Sequence, residues 1–199
     1  MRITLHTPGT PCWVDLATPD PAAAKAFYGG VFGWVFADQG EDFGGYVMCT
    51  KQDLPVAGMG PMMGNVPKPM WTVYLATADA DATVAQALAL GGTVAAPAMD
   101  VANLGRMAVI VDPTQAAFGI WQSGLHTGTG LIREHGALTW AEVNTGDAPA
   151  ARDFYAGLFD LAHAKIEGMD YFTLNPAGAT PSSGVLQMTA EWAGIPPHW

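Results

Sequence analysis

WVDLATPDPAAAKAFYGGVFGW, residues 13–34, returns in the same chain as WAEVNTGDAPAARDFYAGLFDL, residues 140–161. Nine of the twenty-two positions are identical, among them Trp13/Trp140, Thr18/Thr145, Asp20/Asp147, Phe27/Phe154, Tyr28/Tyr155 and Phe32/Phe159. Asp15/Glu142, Leu16/Val143 and Lys25/Arg152 keep their chemical type. Two unrelated amphipathic helices would share alanines, but not a Trp, a cap and an aromatic pair in one register. A long internal period of this kind marks a duplicated structural unit. The local chemistry of the first copy is that of a strand followed by a helix. Asp20 offers a side-chain acceptor to a free helix N–H, and Pro21 suits the first helical position. Ala24, Phe27, Tyr28, Val31 and Phe32 make an apolar stripe at helical spacing, and Gly33 stops it.

Outward from this stretch, strands are expected over residues 34–37, 46–50 and around 56–59, separated by Gly-rich turns. Gly60 to Pro69, with Pro61, Pro67, Pro69, Met62 and Met63, reads as a linker. A second repeat follows: a strand over 71–76, a helix over about 81–90 ended by Gly91-Gly92, and strands over 107–111 and 118–122 around the turn Asp112-Pro113. After a polar connector at 123–130 the third repeat opens at Leu138, with its helix from about 149 to 159 and strands over 162–166, 171–174 and 184–188. Each repeat reads β-α-β-β-β, so the fold class is α+β. The expected division is 1–124 as a domain of two repeats, 125–136 as a linker and 137–199 as an incomplete second domain. Residues 195–199 look like the entry to a fourth repeat, as 66–71 introduce the second, and that fourth repeat is expected to be absent.

Composition limits the partners. Of the 199 residues 50% are apolar and 13% charged, a globular balance. A formal net charge of −10 argues against nucleic acid and anionic membranes, which both select basic surfaces. No apolar run approaches the roughly 18 residues of a membrane span, and a cytoplasmic protein is expected. Cys12 and Cys49 fall at strand ends, where small buried thiols fit, and suggest no disulfide framework.

The strand before Asp20-Pro21, then Phe27-Tyr28 and Phe32-Gly33, the helix between Asp79 and Gly91-Gly92, and the series Gly105-Arg106, Asp112-Pro113 and Phe118-Gly119-Ile120-Trp121 resemble the vicinal oxygen chelate superfamily. That superfamily includes glyoxalase I, bleomycin-resistance proteins and extradiol dioxygenases. Gln115 departs from it, since a turn glycine usually follows the Asp-Pro. Within it the chain looks most like two-domain actinobacterial glyoxalase-like proteins, often labelled hydroxylases. The resemblance implies βαβββ modules whose curved mixed sheets surround a cleft, with the helices outside. It also implies a metal held by His, Gln or Glu from the first and last strands of each module. Here those positions fall on Trp13 and Gly58, on Val73 and Gly119, and on Trp140 and Gly184. None can bind a metal. The five histidines, at 6, 126, 135, 163 and 198, form no set of the kind divalent metals select. No metal and no other cofactor is expected.

Alternation along strands then sets the lining of the cleft. With Trp13 facing it, Asp15 follows, and Trp140 is followed by Glu142. In the second repeat Trp71, Val73 and Leu75 share a face, as do Gly119 and Trp121 on the last strand. Glycine at 58 and 119 is expected to leave open volume. Such a cleft suits a flat apolar or aromatic small molecule, with Trp13, Trp71, Val73, Gly58, Gly119, Trp121 and Trp140 as contacts. Two readings stand for the tryptophans, packing and ligand contact. Two also stand for Asp15 and Glu142: an ion pair or hydrogen bond to a neighbouring strand, or acid–base chemistry. The expected function is binding of resistance or carrier type; the alternative is a metal-independent hydroxylase, lyase or isomerase using Asp15 or Glu142. Arg106 is expected to pair with a carboxylate, and Met59, Met62, Met63 and Met70 to pack an interface or form a lid. The third repeat, without a partner, is expected to expose a sheet edge and half a core, and to form a homodimer through that surface.

Overall fold

Three aspartates start three helices. Asp20 accepts the N–H of Ala23 at 2.9 Å, Asp79 that of Ala82 at 3.0 Å and Asp147 that of Ala150 at 3.1 Å. They cap α1 (Pro21–Phe32), α2 (Ala80–Ala89) and α3 (Ala148–Phe159), each satisfying a first-turn donor that has no partner within the helix. Gly33 closes α1 in the left-handed region at φ +68°, where a side chain is costly. Asp160 closes α3 at the matching position with φ 52°, a conformation that Asp tolerates better than most residues.

The computed structural model describes residues 1–62, 68–176, 180 and 182–199. The first repeat contains β1 (Pro11–Thr18), β2 (Val35–Asp38), β3 (Val47–Lys51) and β4 (Leu54–Pro61). The second contains β5 (Met70–Thr77), β6 (Thr93–Val101), β7 (Gly105–Val111) and β8 (Ala117–Ser123). The third contains β9 (Glu142–Thr145), β10 (Leu161–Lys165), β11 (Tyr171–Pro176) and β12 (Ser183–Gln187). The strand orders β2-β3-β4-β1, β6-β7-β8-β5 and β10-β11-β12-β9 are one topology used three times. In each, the last strand returns parallel to the first, because a helix joins the first strand to the antiparallel meander. The fold is α+β with curved mixed sheets, as the repeat pattern implies.

One strand has no counterpart among the segments named from sequence. β6 carries Pro97 within a run of alternating half-buried residues, and its register on β7 shifts between Val94 and Ala96 and again between Ala96 and Met99, the interval that contains Pro97. A proline inside a strand is confined to edges and bulges. β6 is the outer strand of its repeat, which is why Pro97 is tolerated there and why the segment does not read as a strand.

The chain forms two compact units. The first comprises residues 1–5, 13–73 and 128–139. Its core gathers Leu16, Trp34, Val47, Cys49, Val56 and Met59 behind α1. The stretch expected as a linker contributes to it: Leu131 is buried in this core, and the Trp34 indole donates to the Gly136 carbonyl at 2.7 Å. Met59 packs in the core and Met70 is exposed, while Met63 lies outside the described residues. Cys49 is a buried free thiol whose pKa is pushed up to about 12 by that burial.

The second unit comprises residues 6–12, 74–127 and 140–199. Here the third repeat is not left with half a core. Phe154 and Tyr155 of α3 pack edge-on against Phe118 of β8 at 6.2 and 5.2 Å. Tyr155, fully buried, donates its hydroxyl hydrogen to Asp112 at 2.8 Å and accepts the Trp199 indole N–H at 2.7 Å. Asp112 is itself buried, and its other oxygen accepts from Thr114 N–H, Thr114 hydroxyl and Ala116 N–H. The Asp-Pro turn is therefore a fully bonded buried carboxylate, which is the condition for tolerating one. Arg106 pairs as expected, forked onto Asp81 at 3.0 and 2.9 Å and onto Asp100 at 2.8 Å. Among the described residues no helix is long and apolar enough to cross a membrane.

Candidate functional site

The sheet face turned away from α1 carries one compact group. Asp15 on β1 lies opposite Gly58 on β4 in parallel register, and Trp13 shares its face by alternation. Tyr46, immediately before β3, lays its hydroxyl over Gly58. A Cβ at position 58 would stand 1.7 Å from that oxygen. The hydroxyl accepts the Trp13 indole N–H at 2.9 Å and points to Asp15 at 3.5 Å. Burial, followed by the Asp15 charge, raises the Tyr46 phenol well above its ordinary range, so it holds its proton.

The third repeat builds the same group with a tighter bond. Glu142 lies opposite Gly184, whose Cβ would stand 1.8 Å from the Tyr171 hydroxyl. Tyr171 accepts from the Trp140 indole at 2.8 Å and donates to Glu142 at 2.7 Å. Burial and then this bond to Glu142 raise its pKa to about 12. Trp140 is 38% exposed, whereas Trp13 is 4% exposed. Packing thus accounts for Trp13, while the indole of Trp140 is open to a partner.

In the second repeat the equivalent place is held by a tyrosine. Tyr74 lies opposite Gly119, five residues before the cap Asp79, as Asp15 and Glu142 lie five before Asp20 and Asp147. A Cβ at 119 would stand 2.1 Å from the Tyr74 ring. This register corrects the expected face. Tyr74, Gly119 and Trp121 share one side, so Trp71 and Val73 lie on the other, a one-residue offset that flips the whole set. Trp71 accordingly packs toward α1 and donates its indole N–H to Tyr28 at 3.1 Å. Trp121 is buried and donates to the His126 carbonyl at 2.9 Å.

The glycines do not leave open volume. Tyr46, Tyr74 and Tyr171 fill the spaces over Gly58, Gly119 and Gly184. These tyrosines are the residues that sequence reading passed over. The signal was present in the repeat, since Tyr46 and Tyr171 both precede or open the third strand and face a glycine on the next strand.

The superfamily's divalent metal does not fit these residues. Indole, glycine and phenol stand at the strand positions, and a coordinating side chain grown from Gly58 or Gly184 would collide with a tyrosine hydroxyl. Among the described residues no group of three or more His, Cys, Asp and Glu could hold a metal ion. What the groups offer is an indole edge, a phenol held protonated and a fixed carboxylate. His6 and His126, far apart in sequence, also interact electrostatically; burial and then His6 lower the His126 pKa to about 4.

Three βαβββ repeats, with a first-to-last parallel strand pair in each, define the vicinal oxygen chelate class. The chain belongs to its glyoxalase-like family, whose domain model, "Glyoxalase-like domain", matches residues 13–121. It is 40% identical over 199 residues to a protein of Mycobacterium tuberculosis named "Putative glyoxylase CFP32", covering 96% of this chain and 75% of that one. It is 37% identical over 217 residues to "Anthracycline biosynthesis protein DnrV" of Streptomyces peucetius, covering 99% of this chain and 77% of that one. Among solved structures, the Mn(II)-bound glyoxalase from Novosphingobium aromaticivorans superposes with a TM-score of 0.68 at 16% identity, over 92% of this chain and 63% of that one. The halotolerant catechol dioxygenase BphC gives 0.63 at 13% identity, over 90% and 65%. The chain thus spans about three quarters of these relatives and under two thirds of these solved chains.

Proposed function

We propose that the chain binds a flat aromatic or apolar small molecule without a metal, at the sheet faces carrying the indole–phenol–carboxylate groups. The observation that carries this reading is the group itself: Trp13, Tyr46 and Asp15 over Gly58, built again as Trp140, Tyr171 and Glu142 over Gly184. In the third repeat, where Trp140 is 38% exposed, the indole face gives stacking area, and a carboxylate already engaged by a phenol can take a hydrogen bond from a ligand hydroxyl. The relative named for anthracycline biosynthesis supports a fused-ring aromatic ligand. Titration with anthraquinone-2-sulfonate, followed by quenching of Trp fluorescence, tests it. Glu142→Ala and Tyr171→Phe should each weaken binding about tenfold, the ratio for one lost hydrogen bond. Unchanged affinity in both variants defeats the reading, as would stoichiometric Ni, Zn or Mn retained by the purified protein and needed for binding.

The short bond from Tyr171 to Glu142 favours a second reading, acid–base catalysis on such a ligand. Glu142 can take a proton from one atom of the substrate while the Tyr171 phenol gives one to another, and the proton on Glu142 then passes along their hydrogen bond to the phenolate, restoring both groups. Asp15→Asn and Glu142→Gln would then abolish turnover and leave binding intact. Turnover that survives both substitutions rules it out.

A further inference from the structure

The third repeat carries more on its sheet face than the group it shares with the first. Asn144 follows Glu142 by two residues on β9, so the two side chains stand on one face. Leu186 lies opposite Asn144 and Tyr171 opposite Leu186, in one row across β9, β12 and β11. His198 extends that row. It exchanges both backbone hydrogen bonds with Asn144, at 2.8 and 3.0 Å, an antiparallel pairing that sets the two side chains on the same side. The His198 ring stands 6.3 Å from that of Trp192, tilted by 33°.

The fold does not use up either polar group. Asn144 is 7% exposed, and among the described residues nothing hydrogen-bonds its buried Oδ1. A buried acceptor without a donor is destabilising, so its place here calls for a donor from outside the fold. The Pro196 carbonyl, 2.8 Å from His198 Nδ1, can only accept; Nδ1 therefore carries the proton, and Nε2 of the neutral ring is an acceptor. With Glu142 these groups put three acceptors on one face, beside the open indole of Trp140. The first repeat has no such set. Ala17 and Gly60 form the pair that Asn144 and Leu186 form here. Aligned on Trp71 and Trp199, which donate alike to Tyr28 and Tyr155, Met70 stands where the third repeat has His198.

We propose that Asn144 and His198 are specificity-determining residues of the third-repeat site, which selects an aromatic ligand carrying two separated hydroxyl groups. The inference rests on the aromatic-binding reading above and narrows its ligand. Acceptors call for donors: one hydroxyl goes to Glu142, the other to the end of the face held by Asn144 Oδ1 and His198 Nε2. Alternate residues of a strand are about 6.6 Å apart, so the hydroxyls belong at opposite ends of a fused ring pair, not on adjacent carbons.

Isothermal titration with 2,7-dihydroxynaphthalene, 2,3-dihydroxynaphthalene and 2-naphthol tests it. The 2,7-diol should bind about tenfold tighter than 2-naphthol, the ratio for one added hydrogen bond, and tighter than the 2,3-diol. Asn144→Leu keeps the branched shape and removes the unpaired acceptor. It should close the gap between the 2,7-diol and 2-naphthol while leaving the affinity for 2-naphthol within about twofold. His198→Phe keeps a ring beside Trp192 and should narrow the same gap; His198→Gln, which brings an amide near the Nε2 position, should restore part of it. The Ser183 hydroxyl is also buried without a partner among the described residues, but it lies opposite Leu174 on the other face, so Ser183→Ala should leave the gap intact. Equal binding of the 2,7-diol and 2-naphthol, a 2,3-diol that binds as tightly as the 2,7-diol, or a gap that survives both Asn144→Leu and His198→Phe would overturn this inference and leave ring binding standing. Failure of all three compounds to bind would defeat both.

Discussion

Replacing Tyr155 by Phe should destabilise the protein far more than replacing Tyr28, although the two occupy one position of the repeat. The Tyr155 hydroxyl is buried between an acceptor and a donor: it gives a 2.8 Å bond to Asp112 and takes a 2.7 Å bond from Trp199. Hydrogen bonds to a charged group are worth about 1.5–3 kcal/mol, and the half-buried indole left without its acceptor adds about 1 kcal/mol, for a loss of about 2.5–4 kcal/mol. Asp112 keeps the three bonds to its other oxygen, so the loss is confined to one side of the carboxylate. Tyr28 accepts one bond at 3.1 Å from a half-buried position, worth about 0.5–1.5 kcal/mol. The difference, about 2 kcal/mol, moves a urea midpoint by about 1 M at a typical slope of about 2 kcal/mol/M. Urea unfolding followed by Trp fluorescence reads it directly. Equal midpoints for the two variants would refute the reasoning, because the buried carboxylate would then owe nothing to α3. The same burial, with Asp112 beside it, raises the Tyr155 pKa well above its ordinary 10.0. Its contribution is complete below about pH 10, the unfolded value, and declines as pH rises beyond it. Tyr155→Phe should flatten that alkaline decline.

Gly184→Ala places a methyl 1.8 Å from the Tyr171 hydroxyl and should cost about 1–3 kcal/mol as an overpacked site. With Tyr171→Ala in the same chain, the combined loss should be smaller than the sum of the two single losses; a simple sum in urea unfolding would show that the hydroxyl does not occupy that space. His126, lowered from 6.5 to about 4 by burial and then by His6, contributes stability above pH 6.5 that is lost as pH falls toward 4. His126→Gln should flatten the stability profile between those values, and an unaltered acid limb would contradict it.

The repeat, the caps and the order of elements were legible because they rest on local chemistry. Asp20, Asp79 and Asp147 each cap a helix with their own side chains, and the Phe-Tyr pair keeps helical spacing wherever it falls. The tyrosines over Gly58 and Gly184 were not legible from the strand positions alone, since a glycine opposite nothing and a glycine opposite a ring look alike in sequence. Only the pairing register distinguishes them. The same register decided Trp71 and Val73, where a one-residue shift exchanges the two faces. β6 stayed hidden because Pro97 is a strand breaker everywhere except at an edge, and edge position is a property of the sheet.

The tyrosine lying over each bare backbone position also constrains how such a sequence can drift. Installing a carboxylate at 58 while Tyr46 stays produces a steric collision, and removing Tyr46 first strips Trp13 of its acceptor and opens a hole in the sheet face. Each single step is penalised before the pair is complete. A carboxylate at this position therefore demands two coupled replacements, neither of which the sheet face accommodates alone.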